Sequence, residues 1–319
     1  MDRSGMAALL SCLSVALFSI FLLACNIESL VADDGNGAWK GRLLHMKLVD
    51  REISESDLKR IKGLGFSVLN GEWGMDAMPA EQLLALLDRM QAHGLRFIVN
   101  FSDGAAWGYA PGVVPPSEQA PQWQGERVKA YLAQIVHHPA IYAYDISNEA
   151  GENLPNGARI RITLDQMRQA AQDVRAVDGK RPILVRMRYW DEEDGDFNWR
   201  NPFGPRIADI VMLNLYSNYS LDGERVLLPN MVRDSAQQLV NKILAVDGRV
   251  RIWISLAAFA DPPSFLKPAV TDVRRDTLSA SALPEVESIG FFGWGSPSRA
   301  WYLPRDGADL LGFMGASGE

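Results

Sequence analysis

The chain has 319 residues, 22% charged and 47% hydrophobic, the balance of an ordinary globular protein rather than a disordered or fibrous one. Its formal net charge is −7, and its lysines and arginines are scattered. Without a basic cluster to release counterions, nucleic acid is not an expected partner. The only cysteines, Cys12 and Cys25, sit near the N-terminus, which excludes a disulfide framework, a cysteine nucleophile and cysteine-ligated zinc in the folded part.

Arg3 precedes an apolar run over residues 6–24, broken only by small polar residues. A short basic start, an apolar stretch and small residues before a cut are the parts of an export signal. The run is also nearly long enough to cross a bilayer as an uncleaved anchor. Leu22, Leu23, Ala24 and Cys25 together resemble the bacterial lipobox, which implies lipidation of Cys25. Residues 1–25 are therefore expected to be a signal or anchor, 26–39 a short linker, and 40–319 the folded domain. The expected location is the cell envelope, on its periplasmic or extracellular face, with membrane contact through Cys25 or the anchor.

From residue 40 onward, short apolar runs alternate with amphipathic ones. The runs at 42–48, 66–70, 95–101, 140–146, 182–188, 208–215, 251–256 and 288–293 are rich in Val, Ile, Leu or Phe, as strands covered on both faces should be. Between them, Pro79 opens a helix that carries Leu83, Leu84, Leu87 and Met90 on one face and closes at Gly94. Thr163 and Gln166 have capping-box spacing before a helix ending at Gly179. Asp234 is the expected cap of another, ending at Gly248. Eight strand–helix units in about 250 residues predict an α/β fold, a single-domain (β/α)8 barrel, with chemistry at the C-terminal ends of the strands. An open doubly wound sheet would bring a glycine-rich phosphate turn after the first strand, and none follows Leu48.

The strand ends carry the functional signal. Strand four runs from Ile141 to Asp145, Asn148 and Glu149. Strand six ends in Asn214 and Tyr216, and strand eight in Trp294. This set resembles the clan A glycoside hydrolases, such as the family 5 cellulases and mannanases, in which an Asn-Glu pair ends strand four. The resemblance implies that Glu149 is a general acid/base and that Asn148 contacts a sugar 2-hydroxyl. It also implies that Tyr216 lies beside the nucleophile and that Trp294 floors a sugar subsite. A carboxylic acid that protonates a glycosidic oxygen, and a hydrogen bond to the 2-hydroxyl that strengthens in an oxocarbenium-like transition state, are the chemistry such residues supply. The structural alternatives are that Asn148 and Glu149 cap the following segment, that Tyr216 is a packing residue with a satisfied hydroxyl, and that Trp294 is a core aromatic.

The sequence departs from that family at three places. Leu256 stands where the strand-seven glutamate nucleophile is expected, Asn70 where an arginine follows strand two, and Ser102 where a histidine follows strand three. Other carboxylates after strands are Asp261, Glu72, Asp103, Asp191 and Glu192. One of them at roughly 6.5–9.5 Å from Glu149 would permit an inverting mechanism through a positioned water. The acidic run 191–196 lacks the spacing of a calcium loop and reads as an exposed turn.

Trp73, Trp107, Tyr109, Trp123, Trp190 and Trp199 follow strands, as suits a polysaccharide groove or a protein-binding rim, and Trp107 is a candidate sugar contact. His45, His93, His137 and His138 have no metal-ligand spacing, so neither a metal nor another cofactor is expected. Lys47 is the only strand-end lysine, the one residue that could serve a Schiff-base aldolase or lyase. Two readings lead: an O-glycosyl hydrolase acting on a β-linked polysaccharide or oligosaccharide, or a non-catalytic carbohydrate-binding protein on a degenerate glycosidase barrel.

Overall fold

A computed structural model describes residues 43–49, 51–71, 75–102, 104–108, 121–149, 162–188, 202–221, 224–225 and 230–316. Cys12, Cys25, the 26–39 linker, Glu72, Asp103, Asp191 and Glu192 lie outside them, as do Trp73, Tyr109, Trp190 and Trp199.

The barrel strands are β1 (Leu43–Val49), β2 (Val68–Gly71), β3 (Arg96–Asn100), β4 (Ile141–Asn148), β5 (Ile183–Arg188), β6 (Ile210–Leu215), β7 (Arg251–Ala257) and β8 (Val286–Gly295), with a separate two-stranded antiparallel pair, Ser220–Leu221 and Glu224–Arg225, outside it. Each pairs in parallel with the next, and β8 returns to β1, closing a (β/α)8 barrel. Closure needs tight approach where strands meet. A Cβ at Gly290 on β8 would collide with His45 on β1, so glycine is required there.

The helices α1 (Glu55–Gly63), α2 (Ala80–Ala92), α3 (Gly125–Ile135), α4 (Leu164–Val177), α5 (Met231–Val246), α6 (Val270–Ser281), α7 (Leu303–Asp306) and α8 (Ala308–Ala316) cover the barrel. Ser54 caps α1 by accepting from Asp57 N, and Thr163 with Gln166 forms the expected capping box of α4. Two helix details differ from expectation. In α2, Leu86 is buried with Leu83, Leu87 and Met90, whereas Leu84 is only half-buried. The cap of α5 is Asn230, so the helix starts at Met231 and Asp234 lies in its first turn. An acidic residue there still favours the positive end of the helix dipole, which is why Asp234 resembled a cap.

Side chains alternate in and out along each strand. Outward residues such as Leu69, Phe97, Leu213, Ile254 and Leu256 join the large core shared with the helices. Inward residues form two levels. Val68, Ile98, Tyr142, Ala143, Leu184, Ile210, Met212 and Trp253 make a separate apolar plug in the lower barrel. Two residues beyond Val68, Ile98, Ala143, Leu184, Met212 and Trp253, the side chains of Asn70, Asn100, Asp145, Arg186, Asn214 and Ser255 form, with Lys47 of β1, a polar level with one member from each of β1–β7, all buried.

Candidate active site

The polar level supports the site from below. Asp145 and Arg186 form an ion pair at 2.6 Å, both almost fully buried. Asn70 donates to Asp145 at 3.4 Å, and Arg186 also donates to the Ser102 hydroxyl, which in turn donates to Asn100 Oδ1 at 2.6 Å. Asn70 and Ser102, the two family departures at β2 and β3, are thus members of one network with Asp145. Removing either charge of such a pair strands the other in a low-dielectric interior, at a cost of about 3–5 kcal/mol.

Glu149 follows this network at the mouth of β4. Its backbone has φ of 48°, a left-handed conformation uncommon for a residue with a side chain. Its backbone N–H donates to Arg186 O at 3.0 Å, so β5 holds the turn. Asn214 Nδ2 donates to Glu149 Oε1. The orientation of that amide is fixed from the other end, because Lys47 Nζ donates to Asn214 Oδ1 at 2.6 Å. Lys47 also donates to the Tyr216 hydroxyl at 3.0 Å and lies 5.1 Å from the Phe292 ring centroid. Lys47, Asn214, Glu149 and Tyr216 therefore form one connected set drawn from β1, β4 and β6.

Tyr216 is positioned by its neighbours in the chain. Ser217 donates to buried Asp276, whose carboxyl burial pushes upward in pKa. Asn218 Nδ2 donates to Phe259 O at 2.8 Å and Leu266 O at 3.0 Å, tying the β6 loop to the β7 loop. The Tyr216 ring packs against Phe259, Phe265 and Phe292 at centroid distances of 5.3, 6.3 and 5.6 Å.

These residues line a cleft of about 420 Å³ at the C-terminal mouth. Its lining includes the aromatic side chains of Tyr216, Phe259, Phe265, Phe292 and Trp301 and the polar ones of Asn148, Glu149 and Arg186. A lining of that mixed kind suits a ring with an apolar face and hydroxyl edges. Asp261 also lines it, on a turn closed by reciprocal backbone hydrogen bonds with Phe265 at 2.8 and 2.9 Å.

The cleft brings together Glu149, Asn148, Asn214, Tyr216 and Asp261. It does not include Trp107 or Trp294. Trp107 is buried, donates to Ile146 O at 3.0 Å and packs on Trp123 at 5.0 Å, and Trp294 is fully buried in the core. The aromatic lining instead uses Phe259, Phe265, Phe292 and Trp301, which the strand-end motifs did not single out. On β7, Leu256 points to the helix layer, so the barrel-facing positions are Ser255 and Ala257, and neither is a carboxylate. Lys47 and Arg186 are the site residues the sequence reading undervalued. Their signal was a charge at an inward strand position.

The histidines stand apart from the cleft. Burial, and then the Lys47 charge, lower the His45 pKa to about 3, and its Nδ1 lies 2.8 Å from the Ser288 hydroxyl. His93 and His138 contact Glu55 and Asp88 near the surface. Among the described residues, no group of three or more potential ligands could hold a metal ion.

No family model and no curated protein matches the chain. Solved structures do. A β-glucuronidase from Ruminococcus gnavus in complex with D-glucuronic acid is similar at 13% identity and TM-score 0.50, over 79% of this chain and 43% of that one. A complex of that enzyme with D-glucaro-δ-lactam gives TM-score 0.51 at 12% identity, over the same shares. A structure of fungal β-1,4-galactanases is similar at 14% identity and TM-score 0.53, over 78% of this chain and 88% of that one. The chain thus spans less than half the length of the β-glucuronidase. At these identities the likeness is one of fold, a parallel barrel shared with glycoside hydrolases.

Proposed function

We propose that this chain is an envelope-tethered glycoside hydrolase of the clan A, family 5-like type, acting on a β-linked polysaccharide or oligosaccharide. The observation that carries the reading is Glu149. It stands at the mouth of β4 in a strained backbone conformation, receives the Asn214 amide, and shares a sugar-sized cleft with five aromatic side chains. In the proposed reaction Glu149 gives its proton to the glycosidic oxygen as the bond to the anomeric carbon breaks. Asn148, beside it in the cleft, is placed to hold the 2-hydroxyl.

With no carboxylate at Ser255, Leu256 or Ala257, the second group of this mechanism is Asp261, orienting a water for inverting attack. Export by the 1–25 segment, with Cys25 or an anchor at the membrane, completes the reading. The test is reducing-end release from β-glucans, β-mannans, β-galactans and bacterial exopolysaccharides. Wild type should release ends, and Glu149→Gln should lose about 10²–10⁴-fold in rate without a change in Tm. The bare β7 mouth favours a second reading, a carbohydrate-binding protein without turnover. Binding of a polymer with no released ends from either protein would select it.

A further inference from the structure

A carboxylic acid has two oxygens, and it serves as a general acid only when the proton stands on the one that meets the glycosidic oxygen. Nothing in the Glu149 side chain itself tells the two apart, but its surroundings do. Asn214 donates its Nδ2 amide to Oε1. In a protonated carboxyl the oxygen without the proton is the better acceptor, so a donor held at Oε1 leaves the proton to Oε2.

An asparagine amide has a donor end and an acceptor end of nearly the same shape, and a half-turn exchanges them. Reversed, Asn214 would present Oδ1 to Glu149 and draw the proton onto Oε1, where the amide rather than a substrate would hold it. Lys47 opposes that reversal. Its ammonium carries donors and no acceptor, and it meets Asn214 Oδ1 at 2.6 Å. A reversed amide would set N–H against N–H, and both side chains are buried, so neither donor could turn to bulk water instead. The same ammonium donates to the Tyr216 hydroxyl at 3.0 Å, a second contact with the end of β6 that keeps it beside Asn214.

We infer that Lys47 is a positioning residue of this site: acting through Asn214, it decides that Oε2 of Glu149 carries the acid proton. The inference rests on the hydrolase reading above and adds a residue to that same site. In the step it serves, the proton passes from Oε2 to the glycosidic oxygen, which keeps the electron pair of the broken bond. The water oriented by Asp261 supplies the new bond to the anomeric carbon. Lys47 transfers nothing and only fixes the sense of the amide.

The test reads the amide and the chemistry separately. The full-length chain in detergent is isotope-labelled at its asparagine side-chain amides, and the Asn214 signal is identified by its loss in Asn214→Leu. In the wild type one Nδ2 proton should be shifted downfield by the carboxylate it meets, and Glu149→Ala should abolish that shift. Lys47→Met should move the same signal, whereas Lys47→Arg, also a donor without an acceptor, should keep it. Lys47→Gln, the polar variant for use if Lys47→Met does not fold, should split the signal, because a side chain that both donates and accepts tolerates either sense. A signal left unmoved and unsplit by these changes would overturn the inference.

On a polymer that releases reducing ends, Lys47→Met should lower kcat at least about tenfold with KM within about twofold. It should cost nothing further in an Asn214→Leu background. Equal losses in both backgrounds would show that Lys47 acts by another route and would also overturn the inference. If wild type cleaves no polymer, the hydrolase reading falls, and the amide signal alone decides whether Lys47 orients Asn214.

Discussion

The two levels of the barrel interior share strands β2–β7, two residues apart, and are chemically opposite. Below, the plug that includes Ile98, Leu184, Met212 and Trp253 is apolar and buried. Above, the level that includes Lys47, Asp145, Arg186 and Asn214 is polar throughout and still buried. The plug gains stability from area removed from water. The polar level gains little net stability from its charges, because their desolvation offsets their attraction, but it holds Glu149, Asn214 and Tyr216 in one arrangement. The barrel is thus packed with apolar side chains at the bottom and holds the candidate site at the top, the usual division in such barrels.

Four substitutions or conditions probe that division. Trp253→Ala removes the largest side chain of the plug, with its stacking on His45 at 5.0 Å and its hydrogen bond to Glu287 at 2.8 Å. Denaturant titration should show a loss of about 3–5 kcal/mol. Asp145→Ala should cost a comparable or slightly smaller amount, about 3 kcal/mol, by stranding Arg186. The double variant Asp145→Leu with Arg186→Met should recover much of that stability but not the function. If Asp145→Ala proved neutral, the polar level would not be the coupled support described above.

His45 lies at the boundary of the two levels and gives a pH test. It stays neutral in the folded state because burial, then Lys47, lower its pKa to about 3 from 6.5. Below pH 6.5 the unfolded chain takes up a proton that the folded chain refuses. Its contribution is therefore complete above about pH 6.5 and is lost as pH falls toward 3. His45→Gln should flatten Tm against pH in that window. An unchanged slope would place the acid sensitivity elsewhere. Ser255→Ala should have the smallest effect, within about 0.5 kcal/mol. Its buried hydroxyl has no hydrogen-bond partner among the described residues, so the described polar level loses no bond when it goes.

Much of this was legible in the chain. The run expected at 182–188 is β5 at Ile183–Arg188, and the run at 251–256 is β7 at Arg251–Ala257. Buried parallel strands carry a continuous apolar signal, which reveals their existence but conceals which residues face inward. That is why the family pattern falls on Leu256 of β7, whereas Ser255 and Ala257 face the barrel. The same limit applies to Trp107 and Trp294. A tryptophan after a strand has the same local sequence whether it lines a cleft or fills the core, and here both are buried.

By itself, then, the sequence determined the alternation of strands and helices, the barrel it implies, and the Asn148-Glu149 pair at the mouth of β4. These depend on local patterning and on a motif within a single strand. The tertiary structure alone decided that Lys47, Asn214 and Tyr216 join Glu149, since β1 and β6 supply partners 167 and 65 residues apart along the chain. It also decided that the aromatic lining comes from Phe259, Phe265, Phe292 and Trp301. Strand tilt and register set which side chains share a level when a barrel closes, and no pattern local to one strand contains that information.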